Sequence, residues 1–227
     1  MRPTAASARG AIGRSAAFGL AALLIVSALG YWGVATYRKV QMHKAVSVLV
    51  RDSSERLTAA LVLEIEAVTR LDEHAQEVDR HVIELREMSA SPDRALAAAA
   101  EEYLLTARQI LREQAASNRY RLQVEAADER LREHMRAAGR RSAGWIAEAV
   151  RAKDRVEKSY FDYRVSSGAL ERLLASYPSA RKKMSAQLAG VSLLADESVE
   201  AARKRTLASS KRVAANVEQA RQLAAVH

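Results

Sequence analysis

Residues 57–85 read LTAALVLEIEAVTRLDEHAQEVDRHVIEL. Leu61, Val68, Ala75 and Val82 recur every seven residues, and Leu57, Leu71, Val78 and Leu85 fill the interleaved places, with Glu64 the one polar exception. A repeat averaging 3.5 residues keeps one apolar stripe turned to a partner helix in a left-handed supercoil. No glycine or proline interrupts it, so the stretch predicts a single helix that continues to Met88. Upstream the ladder loosens: Val50 stays in register, while His43, Ser47 and Ser54 take the other seam places.

Further upstream, Ser15 to Tyr37 (SAAFGLAALLIVSALGYWGVATY) is a run of 23 residues without a charge. A hydrocarbon core about 30 Å thick needs about 20 apolar residues at the helical rise, and such a helix satisfies its own backbone polar groups. Tyr31, Trp32 and Tyr37 mark its downstream end, where amphipathic rings favour the headgroup layer, and Arg38 and Lys39 close it. The tail before it, residues 1–14, carries Arg2, Arg9 and Arg14 and no acid. The run predicts a retained signal-anchor with the N-terminus cytoplasmic and the bulk of the chain extracytoplasmic, at the inner (cytoplasmic) membrane. The alternative is a cleaved signal peptide, with Ala28-Leu29-Gly30 placing small residues before a cut at Tyr31.

Downstream, Ser91-Pro92-Asp93 supplies a helix start, with a capping side chain, a proline that has no N–H to waste and a carboxylate on the helix dipole. The helix it opens, about 92–138, carries Leu96, Tyr103, Ile110, Val124 and Leu131 on one sevenfold ladder. Gln114, Ser117, Asn118 and Arg121 fall at or near its seam. They read either as polar register devices within a bundle or as a ligand pocket in which an arginine fork, flanked by amides, receives a carboxylate or phosphate. Gly139 to Gly144 predicts a hairpin turn. A third helix, about 142–177, presents Trp145, Val156, Tyr160, Tyr163, Leu170, Leu174 and Tyr177 at helical spacing, read as core packing. Pro178 is expected to end it and open a fourth helix, about 178–226. That helix begins with Met184, Leu188, Val191 and Leu194 and thins to Val199, Ala202, Thr206, Ser209, Val213 and Ala220.

The expected fold is therefore all-α: an N-terminal transmembrane helix (15–37) continuing into an elongated antiparallel four-helix bundle or coiled coil (38–227, helices about 38–88, 92–138, 142–177 and 178–226). At the helical rise, residues 38–88 climb about 77 Å from the bilayer, which places Ala90 at the far tip and returns Gly139 to the membrane. Arg38, Lys39, Arg140, Arg141, Lys211 and Arg212 then gather at the membrane end as lipid-headgroup contacts.

The net charge of +9 sits mainly at the chain ends, with +3 in residues 1–14 and +5 in residues 179–227. This favours anionic lipid over a nucleic-acid groove. With no cysteine there are no disulfides and no thiolate metal sites. No HExxH, glycine-rich phosphate loop or GxSxG occurs, and no catalytic residue, cofactor or metal site is assigned. The nearest approach to a metal set, His74, Glu77 and His81 on one helix face, reads as a solvated surface.

In layout, an N-terminal membrane helix running into an antiparallel four-helix bundle resembles the extracytoplasmic sensor bundle of bacterial chemoreceptors and sensor kinases. The resemblance spans anchor and bundle and rests on architecture, with no shared motif. It differs in that no second span and no HAMP, kinase or methylation module follows the fourth helix. A third reading, a membrane-linked coil on the cytoplasmic side, resembles in layout alone the spectrin-like division regulators of Gram-positive bacteria. The expected function is a non-enzymatic, single-pass anchored scaffold or assembly component that contacts other membrane or envelope proteins and homo-oligomerises. The alternative is a ligand-binding bundle of the sensor type working with a separate signalling partner.

Overall fold

The structure, a computed structural model, describes residues 6–88, 93–136 and 142–225, and within them the side chains of all but 6–26, 28, 29 and 225. Five helices and no strand occur among the described residues: α1 (Ala6–Leu61), α2 (Val68–Glu87), α3 (Arg94–Arg136), α4 (Ala143–Gln187) and α5 (Asp196–Ala225). The all-α bundle is as expected. Its connectivity is not.

The first departure lies inside the opening heptads. The helix expected over 38–88 breaks after Leu61, and α2 folds back along α1, as the contacts Ser53 to His81 (2.9 Å) and Arg56 to His74 (3.3 Å) require. The apolar ladder does form one face: Leu57, Leu61, Leu71, Ala75, Val78, Val82 and Leu85 are all buried. Folding back lets its two halves bury against each other and against α3. The polar exception, Glu64, sits in the bend with a left-handed backbone (φ 54°). The carbonyls freed at the break find side chains from distant helices: Arg205 donates to Leu61 O and Asn118 Nδ2 to Glu66 O (3.3 Å). No local residue announces those partners.

The second departure follows from the first. α3 starts beside the middle of α1, where Asp93 meets Lys39 (3.1 Å) and His43 (3.2 Å). It then climbs past the bend, with Arg86 bonded to Glu101, Arg108 and Arg112 to Asp79, and Arg119 to Asp72 along the way. From the bend at Glu66, which meets α3 at Arg121, α3 continues to Arg136. At 1.5 Å per residue its 43 residues span about 65 Å, against about 30 Å for the 20 of α2. Arg136, which ends α3, and Ser142, just before α4, therefore lie at the end far from Lys39; the turn expected around Gly139 and the tip expected at Ala90 fall in 137–141 and 89–92, outside the described residues.

α4 descends from Ser142, whose hydroxyl caps it by accepting from Trp145 N (3.2 Å). It runs straight through Pro178, the expected terminator. Leu170, Leu174, Tyr177, Ala180 and Met184 form one buried face on both sides of the proline. That burial outweighs the cost of about 3 kcal/mol of an interior proline. The Tyr177 hydroxyl also donates to Leu194 O (3.2 Å) and receives from Tyr103 (3.3 Å). The descent ends at Leu188, Gly190 makes the turn with φ 87°, and α5 starts at Asp196 rather than at 178.

The result is a rod of two unequal parts. Near Lys39, segments of all five helices share one core that runs from Met42 to Ala202. Beyond the bend only α3, α4 and α5 remain, around Val124, Leu131, Val156, Tyr163, Val213 and Val217.

The uncharged run 15–37 is helical within α1. Among the described residues no helix is long and apolar enough to cross a membrane. Most side chains of that run, and those of the tail 1–14, lie outside the described residues.

Candidate functional site

The bend between α1 and α2 abuts the polar middle of α3, and the two enclose a cleft of about 120 Å³. Its walls come from four places: the end of α1 with Glu64, Ile65 and Glu66 beyond it; one turn-spaced face of α3; Tyr163 and Leu170 of α4; and Arg205, Thr206 and Ser209 of α5. Gln114, Ser117, Asn118 and Arg121, singled out in the sequence at steps of three, one and three, all line it.

Two guanidinium groups dominate the electrostatics. Arg121 Nη2 meets Glu66 Oε2 at 3.1 Å, and Arg205 Nη1 meets Glu64 Oε1 at 3.1 Å while the same side chain holds Leu61 O. The Arg121 side chain is only 23% exposed, and its Nε is buried with no hydrogen-bond partner. An orphaned charged donor is costly, so this edge of the fork stands ready for an acceptor. Tyr163, buried in the wall, donates to Ser209 Oγ (3.2 Å), and Ser117 and Asn118 are buried as well.

Sequence reasoning found the α3 side of the cleft and missed Glu64, Glu66, Tyr163 and Arg205. One signal was present: Glu64 interrupts an otherwise apolar ladder, and Thr206 and Ser209 interrupt that of α5. Reading those interruptions as one site required the bend.

The described lipid-contact candidates do not converge. Arg38 and Lys39 sit at the near end, where Lys39 also edges an open groove of about 820 Å³ between α1 (Thr36 to Arg51) and residues 187–192. Lys211 and Arg212 lie in the far half of α5, beyond the level at which Ser209 meets Tyr163. Arg140 and Arg141 are outside the described residues, but Arg136 and Ser142, which bracket them, are at the far end.

The histidines of α2 face α1. Arg56 Nη1 donates to His74 Nδ1, and burial together with that arginine holds the imidazole below its ordinary pKa, against the opposing pull of Glu73 and Asp52. His81 bonds Ser53 and lies 3.4 Å from Asp52. Glu77 bonds Arg80 instead. No group of three or more metal-ligating side chains is assembled among the described residues.

A scan of protein-family models and searches of curated proteins and of solved structures returned no match for this chain.

Proposed function

We propose that this chain is a single-pass, membrane-anchored helical-bundle scaffold or assembly component acting through protein–protein contacts, including contacts with its own copies. Residues 15–37 serve as a signal-anchor in the inner membrane, with the N-terminus cytoplasmic and the bundle extracytoplasmic. One observation carries this reading. α1 is a single helix from Ala6 to Leu61, yet its described side chains from Gly30 to Val40 are exposed, apart from the half-buried Ala35, and burial begins only at Met42. Tyr31, Trp32, Val34 and Tyr37 thus have no partner surface in the bundle, as suits a helix leaving it for a lipid interface. Arg38, Lys39, Lys44 and Arg51 follow on the same helix, at the height of headgroup phosphates. Carbonate washing of native membranes tests the anchor: the full chain stays in the pellet and a chain lacking residues 1–37 does not. An alkaline-phosphatase fusion at the C-terminus is active if the orientation is right, and crosslinking in native membranes identifies the partners.

A second reading, an extracytoplasmic ligand-binding bundle of the chemoreceptor-sensor type coupled to a separate signalling partner, is favoured by the convergence of Gln114, Ser117, Asn118 and Arg121 on one cleft. It predicts a small ligand whose binding is lost on substitution of Arg121.

A further inference from the structure

We propose that the Arg121–Arg205 cleft binds a short dicarboxylate, and that Glu64 and Glu66 occupy the ligand's place in the free chain. The proposal rests on the ligand-binding reading above and says which ligand the cleft takes and what the ligand competes with.

Arg121 uses only half of its side-on edge. Nη2 engages one oxygen of Glu66, while the neighbouring Nε is buried without an acceptor. A carboxylate presented squarely to that edge accepts from both nitrogens at once, the geometry in which arginine is most selective for planar oxyanions. Glu66 does not reach it from the bend.

The resident carboxylates are also weakly held. Glu66 and Glu64 are 70% and 60% exposed, against 23% and 44% for the arginines they pair with. Ion pairs with a solvated partner contribute little, so a ligand that reaches further in exchanges them at small cost.

Size and lining narrow the chemistry. A space of about 120 Å³ is close to that of a cavity known to hold benzene, so it admits a ligand of only a few heavy atoms until the two glutamate side chains swing out. Two guanidinium groups call for two carboxylates. Leu61, Ile65 and Leu170 flank a short carbon chain, and Gln114 and Ser209 offer donors to the remaining oxygens. Because Arg205 also holds the last carbonyl of α1, drawing it onto a ligand loosens the end of the helix that runs back to residue 6.

The test uses the full chain in detergent micelles, with succinate, acetate and inorganic phosphate as probes, read by thermal shift and isothermal calorimetry. Succinate is expected to bind and acetate to bind more weakly. The double variant Glu64→Gln, Glu66→Gln, whose changes fall on exposed side chains, removes the internal competitor and should bind succinate about threefold more tightly. Arg121→Lys, which keeps the charge and loses the fork, should lose binding while circular dichroism shows the fold intact. Succinate affinity unchanged in the double variant overturns the displacement. Phosphate binding that Arg121→Lys abolishes, without any carboxylate binding, overturns the dicarboxylate and leaves a ligand site standing. Silence from all three probes in both the native chain and the double variant overturns both.

Discussion

Asp93 couples the start of α3 to α1, and its removal should separate two contributions. Oδ1 accepts from Leu96 N (3.1 Å) as an N-cap, and Oδ2 faces Lys39 Nζ (3.1 Å) and His43 Nε2 (3.2 Å). The Leu96 N–H first, then His43 and Lys39, hold the carboxyl well below the usual range, at about 2. Taken whole, a depression of that size corresponds to about 2 kcal/mol. Lys39 is 54% exposed, so solvent screening reduces the charge contribution to about 1 kcal/mol or less. The cap itself is worth about 1 kcal/mol. Asp93→Asn keeps an oxygen for Leu96 and should cost about 0.5–1 kcal/mol at neutral pH; Asp93→Ala loses both contributions and should cost about 1–2 kcal/mol. The sign with pH follows from the lowered pKa. The unfolded chain takes up the proton first as acid is added, so the carboxylate's stabilisation is complete above about pH 4 and is lost as pH falls through about 2. Urea unfolding followed by far-UV circular dichroism, in detergent and across this pH range, reads both effects. An alanine variant as stable as the native chain at pH 7, or a native-to-Asn gap that persists unchanged at about pH 2, would show that the Asp93 carboxylate does not hold α3 to α1.

Three further outcomes are expected. Tyr177→Phe strands the buried carbonyl of Leu194 and removes the acceptor of the Tyr103 hydroxyl, so it should cost about 1–3 kcal/mol in the same unfolding assay. His74, held below its ordinary pKa of 6.5 by burial and by Arg56, stabilises the fold fully above that value and progressively less as pH falls through its folded pKa. His74→Gln should flatten the decline in thermal midpoint between about pH 7 and pH 5, and an unchanged decline refutes the assignment. Glu64→Gly relieves a left-handed backbone at the loss of one exposed ion pair, so it should raise the unfolding free energy by about 0.5 kcal/mol; a clear loss of stability would show that Arg205 depends on this partner.

Which faces are buried was legible in the residues alone. The ladder Leu96, Tyr103, Ile110, Val124, Leu131 and the stripe Val156, Tyr163, Leu170, Leu174, Tyr177 are core in the folded chain, because an apolar side chain must leave water whichever partner it finds. The sequence also marked Gln114, Ser117, Asn118 and Arg121 as polar where a seam should be apolar, and these came together in one cleft. Where the chain turns was settled by long-range packing. A heptad stripe is satisfied equally by a distant helix and by its own second half, so nothing within residues 57–85 distinguishes a straight helix from a bend. The choice fell to Arg205 and Asn118, more than 50 residues downstream in one case and 144 in the other, which cap the carbonyls that the bend exposes. Likewise Pro178 weakens a helix locally, while burial of Tyr177, Ala180 and Met184 on one continuous face keeps it whole. Local propensities amount to a few kcal/mol at most, and packing of whole faces exceeds them. The order of the buried faces in space, and with it the cleft, therefore belongs to the folded molecule.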